Sequence, residues 1–232
     1  GKAVLVFDAG NMPKAEVPES DDDTFAPGKK IRVEAGYGDV ESPVFEGFVT
    51  SHNLNIRPGN ESTLHIECRE FTFPMTQGRK NRVFEKSTDS AALKKIIGEY
   101  GGLTASVGST SAEYNELVQY YCSDWDFILS RADANGLFIF TDGNKITIKE
   151  PNVNSSRVVK VIYGEGLIAF QGELQVNDQQ EEIEAVGWDP ATQEILKTTG
   201  SSPSLNDQGT STLSQLAEAA GGASWKLQTE IS

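Results

Sequence analysis

Apolar side chains recur at three- and four-residue spacing after Ser123. Trp125, Ile128, Leu129 and Ala132 fall on one side of a helix, with Arg131 and Asp133 pointing elsewhere. Ser123 followed by Asp126 is a capping box in its short-acid form, and Asn135-Gly136 supplies the left-handed residue that ends the helix. Asp124 and Asp126 read as capping residues in the positive first turn. Two strand-like runs, Leu137–Phe140 and Lys145–Lys149, then flank a tight turn over Thr141–Asn144, and Pro151 closes the unit. Upstream, Thr88 or Asp89 caps a second helix with Leu93, Ile96, Ile97 and Tyr100 on one face, Lys94 and Lys95 on the other, and Gly101-Gly102 as its stop. Together these make an α+β insert from Lys86 to Pro151.

On either side of the insert the pattern changes to strands and turns. Val4–Phe7, Lys30–Ala35, Val44–Ser51 and Thr63–Arg69 predict a small antiparallel sheet or barrel, and Met75-Thr76 reads as a strand end. The acidic break between Asn11 and Gly28 has no periodicity, and a break of that length is usually mobile or functional. Beyond Pro151, Val158–Tyr163, Leu167–Phe170, Glu173–Val176, Glu182–Trp188 and Gln193–Thr198 are β-rich, with a turn over Asp189–Thr192. Gly200–Gly209 reads as a linker, Thr212–Ala220 as a short helix and Ala223–Ile231 as a returning strand. The expected fold class is mainly β with an α+β insert. The expected segments are a first β region over 1–85, the insert over 86–151, a second β region over 152–200, and a linker, helix and terminal strand over 201–232.

Charge narrows the function. A net charge of −14, from 34 acids against 20 bases, argues against wrapping nucleic acid, which needs concentrated Lys and Arg. Arg79, Lys80 and Arg82 form the densest basic spot and, on an acidic protein, are the first candidates for meeting an acidic neighbour. Asp21-Asp22-Asp23 lacks the spacing of a calcium loop, so no metal or other cofactor is expected. Gly164-Glu165-Gly166 is a turn, because no helix start and no Lys-Ser/Thr follow it.

Chemistry is sparse. Cys68 alternates in phase with Leu64 and Ile66 and is expected to be buried, with His65 facing out. Cys68 and Cys122 are both expected as free thiols, as suits an unexported chain. For an enzyme the best acids would be Asp124, Asp126 and Glu116, but residues two apart on a helix diverge by about 200°, so the two aspartates do not easily address one bond. Tyr114, Tyr120 and Tyr121 motivate a glycan- or peptide-binding module instead. No apolar run approaches the ~20 residues that cross a bilayer, and no basic start followed by a hydrophobic stretch suggests an export signal. The chain opens directly in a strand-like run, which reads as a trimmed start.

The run LVQYYCSDWDFILSRADANGLF, from Leu117 to Phe138, resembles the VgrG spike proteins of bacterial type VI secretion, whose hub architecture is shared with tailed-phage baseplates. Further motifs in the same order are Phe25–Gly28 with Ile31–Val33, Val44–Gly47, Cys68–Glu70, Met75–Lys80, Thr88–Ser90 and, more weakly, Gly187–Asp189. The resemblance implies two barrel-like tube domains flanking a small helix-plus-hairpin subdomain. It also implies a homotrimer whose pseudo-sixfold ring sits on a hexameric inner tube beside other baseplate components. It implies a structural role without catalysis, in which the chain is the hub portion and the spike or effector region lies outside it. Assembly would take place in the bacterial cytoplasm before ejection through the apparatus. A phage tail baseplate hub is the nearest alternative, and a glycan-binding or hydrolytic β module a more distant one.

Overall fold

A computed structural model describes residues 1–57, 62–152, 155–156, 158–173, 175–177, 182–189, 192–200, 210–222 and 224–228. Two compact units divide the chain, Gly1–Pro151 and Asn152–Ser232. It is a mainly β protein with few helices, and its largest sheet is a curled half-barrel.

That sheet holds β1 (Lys2–Asp8), β2 (Lys30–Tyr37), β3 (Val40–Asn55) and β4 (Thr63–Glu70), antiparallel throughout in the order β1-β4-β3-β2. All four strands expected from alternation are present. Alternation also sets the inward face: Leu64, Ile66 and Cys68 are fully buried while His65 is exposed. Two register irregularities, at Val33/Glu34 and Val49/Ser51, fall on β2 and β3. Bulges of this kind bend a strand and raise its twist, which accounts for the curl. Gly47 marks a close approach of β3 to β4, because a Cβ there would lie 2.0 Å from the Arg69 carbonyl oxygen.

The acidic break after β1 is structured. It forms α1 (Pro18–Asp21) and two short 3-10 turns, and lays Phe25 on Phe7 with ring centroids 4.9 Å apart. His52 on β3 holds the segment at two points: Nδ1 lies 3.2 Å from the Phe25 carbonyl and Nε2 lies 2.9 Å from Ser20 Oγ. This strap therefore covers the apolar face of the sheet, with Val17 and Phe25 packed on its core.

The helical part continues the chain as β5 (Lys80–Thr88), α2 (Asp89–Gly98), β6 (Thr104–Val107), β7 (Glu113–Cys122), α3 (Asp124–Ala134), β8 (Phe138–Asp142) and β9 (Lys145–Lys149). β5 and β7 pair antiparallel, and β9 lies between β6, which runs parallel to it, and β8. Thr88 and Ser123 cap the helices as expected, through Ala91 and Asp126. Met75-Thr76 belongs to a 3-10 turn over Phe73–Thr76 and not to a strand, since Pro74 has no N–H to give a ladder. The inward face of α3 is Asp124, Phe127, Ile128 and Ala132; Leu129 is 44% exposed, and Arg131 reaches into the protein instead of pointing away. Phe84 of β5 stacks on Phe127, and together with Leu93, Ile96, Ile97, Ile146 and Ile148 they form a second core.

In the second unit β10 (Glu182–Asp189) pairs antiparallel with β11 (Glu194–Thr199) and parallel with β12 (Ser224–Gln228). Between them α4 (Leu213–Ala219) carries a full capping box, Thr212 with Gln215. Val158–Tyr163 and Leu167–Phe170 are not strands; one isolated bridge joins Tyr163 to Leu167. Their composition satisfies β propensity, but a ladder also needs a neighbouring strand, and none pairs with them among the described residues. Residues 173, 175 and 176 of the expected Glu173–Val176 strand are in no strand either, while residue 174, the linker over 201–209, part of the turn at Asp189–Thr192, and residues 223 and 229–231 of the expected terminal strand fall outside the described residues.

Candidate functional site

Two buried carboxylates organise the helical part of the first unit, and each is the first residue of a helix. Asp124 opens α3 and is 1% exposed. Its Oδ2 accepts from Lys80 Nζ at 2.7 Å, Arg82 Nη2 at 3.1 Å and Tyr100 Oη at 2.6 Å, and its Oδ1 accepts from Gln119 Nε2 at 2.9 Å. Burial pushes this carboxyl up. The hydrogen bonds from Lys80, Tyr100 and Gln119 and the Arg82 charge overcome that push and hold it below the ordinary carboxylate value. Bonding to Asp124 correspondingly raises Lys80, and burial followed by the same contact raises Tyr100.

Asp89 opens α2 and is fully buried. It takes a bidentate pair from Arg131, in the last turn of α3, and a 2.9 Å bond from Asn135 Nδ2 at the cap of that helix. Arg131 also donates to Tyr114 Oη at 2.8 Å. Burial pushes Asp89 up, and Arg131 and Asn135 bring it below its ordinary value. The helices are thereby tied reciprocally: the N-terminus of α2 to the end of α3, and the N-terminus of α3 to Tyr100 just beyond α2.

The basic cluster divides on this geometry. Lys80 and Arg82 serve Asp124, with Arg82 also bridging to Glu99 at 2.9 Å. Arg79 is exposed, stacks on the Tyr121 ring at 5.1 Å and donates to the Tyr121 carbonyl. Asp124, read from the sequence as a capping residue, is this ion-pair centre; Asp126 keeps the capping role through Ser123. Glu116 lies on the outward face of β7, away from Asp124, so the three acids do not converge on a cleft. Tyr114 is half-buried, whereas Tyr120 and Tyr121 are 81% and 59% exposed. Gly164–Gly166 is a turn, and no cluster of three or more metal-ligating side chains occurs among the described residues.

A groove that sequence reasoning missed runs where the half-barrel meets the helical part. One cavity of about 360 Å³ is lined by Lys30, Glu46, Phe48, Phe71, Pro74 and Leu103 together with the Gly101-Gly102 backbone. Phe48 and Phe71 meet edge to face at 5.0 Å, and Lys30 Nζ stands 5.8 Å from the Phe71 ring centre. An adjoining hollow shares Phe48 and Pro74 and adds Pro27, Gly28 and Phe73. Phe48 comes from β3 and Phe71 and Phe73 from the turn after β4, and Leu103 follows α2, so no local motif announces the groove.

A family model described as the Alg8 N-terminal domain matches residues 1–232. The chain belongs to the Alg8 N-terminal domain family. The 43 kDa tail protein of prophage MuSo2 from Shewanella oneidensis is similar at TM-score 0.57 and 12% identity, over 98% of this chain and 62% of its own length. A tail protein from Neisseria meningitidis MC58 is similar at TM-score 0.54 and 12% identity, over 95% of this chain and 75% of its own. Prophage tail protein gp18 from Listeria monocytogenes EGD-e is similar at TM-score 0.52 and 13% identity, over 87% of this chain and 62% of its own. No curated protein matches the chain. This member of the Alg8 N-terminal domain family therefore has a phage tail-like fold and spans about 62% of the length of the Shewanella protein.

Proposed function

We propose that the chain is a structural hub subunit of a phage-tail-type injection device. Three copies surround an axis, and each supplies two barrel-like regions to a ring that adapts a threefold spike to a hexameric inner tube. The observation that carries the reading is the tail-protein fold over 98% of the chain. Symmetry supplies the mechanism: three subunits with two similar faces each present six near-equivalent contacts to a sixfold tube. The work is mechanical, and the tail fold is what supports a role without catalysis.

The solved folds favour a phage tail baseplate hub as the setting. The run from Leu117 to Phe138 favours a second setting, the VgrG-like spike of a type VI secretion apparatus. In either setting the partners are baseplate components and a spike or effector region beyond this chain, with assembly in the cytoplasm before ejection. Arg79, exposed beside Lys80 and Arg82, is the member of the basic cluster placed to meet an acidic neighbour. Sedimentation equilibrium and light scattering over a wide concentration range test the reading. A concentration-dependent trimer is expected. A monomer at every concentration that also fails to bind a hexameric inner-tube protein would overturn the proposal.

A further inference from the structure

β2 and β3 form a hairpin whose outer half stands free. Beyond the register shift at Val33/Glu34, every residue from 34 to 44 is exposed. The two-residue turn Gly38-Asp39 closes it, with Gly38 at φ +64°. At and behind the tip stand Tyr37, 98% exposed, Val40, 76% exposed, and Val44, 62% exposed. A two-stranded arm is marginal in water on its own, and three large apolar side chains on it are a standing cost unless another surface covers them.

The aromatic groove lies at the other end of the same hairpin, since Lys30 and Phe48, which pair at its base, both line the cavity. Seven residue steps along β2 take Lys30 to Tyr37, about 24 Å at 3.4 Å per residue. The tip of a paired hairpin cannot fold back over that distance onto its own base. Charge is complementary as well. Arg32 takes up Glu34 and Glu46, whereas among the described residues no cation reaches Asp39 or Glu41 at the tip and no carboxylate reaches Lys30 at the groove. The cavity, about 360 Å³, lies in the range of pockets that receive small apolar groups.

We infer that the Tyr37–Val40 tip of one copy docks in the Phe48/Phe71 groove of a second copy, with Asp39 and Glu41 against Lys30. The contact joins two different patches, so it builds a closed ring when the rotation from one copy to the next is a whole fraction of a turn, as the threefold hub requires. It rests on the hub reading and names the residues that would hold the subunits together.

The test places a photo-crosslinking amino acid at position 37 in an equal mixture of unlabelled and ¹⁵N-labelled full chain. Mixed-isotope crosslinks at Phe48, Phe71, Pro74 or Leu103 are expected. Tyr37→Ala should weaken association about 30-fold or more, as loss of an aromatic anchor does. Its melting temperature when dilute should not change, because Tyr37 is almost wholly in solvent. Lys30→Glu should weaken association too, and Asp39→Lys with Glu41→Lys should restore it. A trimer that crosslinks elsewhere and tolerates Tyr37→Ala overturns this contact and leaves the hub reading standing. A chain that stays monomeric throughout and does not bind its tube protein overturns both.

Discussion

Asp124→Asn is the most informative single change in the helical part of the first unit. The variant keeps the shape and the Gln119 contact but replaces the oxygen facing Lys80, Arg82 and Tyr100 with an amide that carries donors. Two cations then face a donor at a buried position, although Lys80 is 37% exposed and Arg82 keeps Glu99, which moves the loss toward the low end of the range for a broken buried pair. Removing one partner of a buried ion pair costs about 3–5 kcal/mol, because the remaining charge is left uncompensated. For a body the size of Gly1–Pro151, where 1 kcal/mol moves the midpoint by about 2–4 °C, that is a fall of about 6–20 °C. Scanning calorimetry and urea unfolding measure it, with Glu99→Gln as a control because the Glu99 side of its pair with Arg82 is 45% exposed and contributes about 1 kcal/mol. The folded carboxyl lies below its unfolded value of about 3.9, so its contribution is complete above that pH and is lost as pH falls through the folded value. The wild type therefore loses stability more steeply below about pH 4 than Asp124→Asn does. A loss under about 1 kcal/mol at pH 7 would refute the placement of Asp124 as the organising charge.

Arg131→Met leaves Asp89 buried without its cation. It should cost about 3–5 kcal/mol at pH 7, with part of the loss recovered on acidification as Asp89 takes a proton, read by urea unfolding at pH 7 and pH 5. Gly47→Ala drives a Cβ against the Arg69 carbonyl and should destabilise by at least about 1–3 kcal/mol, read from the thermal midpoint. Burial pushes the Cys68 thiol up, so in native protein at pH 8 iodoacetamide should modify Cys122 faster than Cys68. Equal rates by mass spectrometry would contradict the buried placement.

Local patterns were legible where the force that fixes them is local. Period-two alternation placed Cys68 inward and His65 outward, and Thr88 and Ser123 announced their helices through hydrogen bonds made within three residues. Distance along the chain hid the rest. Asp124 looks like a capping acid because Lys80 and Arg82, which claim it, lie more than forty residues upstream. The pairing of β5 with β7 spans an intervening helix and strand, so neither strand declares its neighbour. Val158–Phe170 shows the opposite failure: its apolar residues carry the propensity of strands, but propensity does not supply a partner. The groove depends on Phe48 of β3 meeting Phe71, in the turn after β4, and Leu103, in the loop after α2, which no window of sequence displays.

β9 is the last strand before Pro151, and it is flanked on both sides, by β6 and by β8. A pull directed along β9 from Pro151 is borne by hydrogen bonds that run to both neighbours. A strand pulled sideways peels one bond at a time, whereas one loaded lengthwise strains all its bonds together, and β9 has two ladders to share that load where an edge strand has one. A lengthwise pull at Pro151 would thus enter the first unit through a strand held on both sides, by a parallel ladder and an antiparallel one.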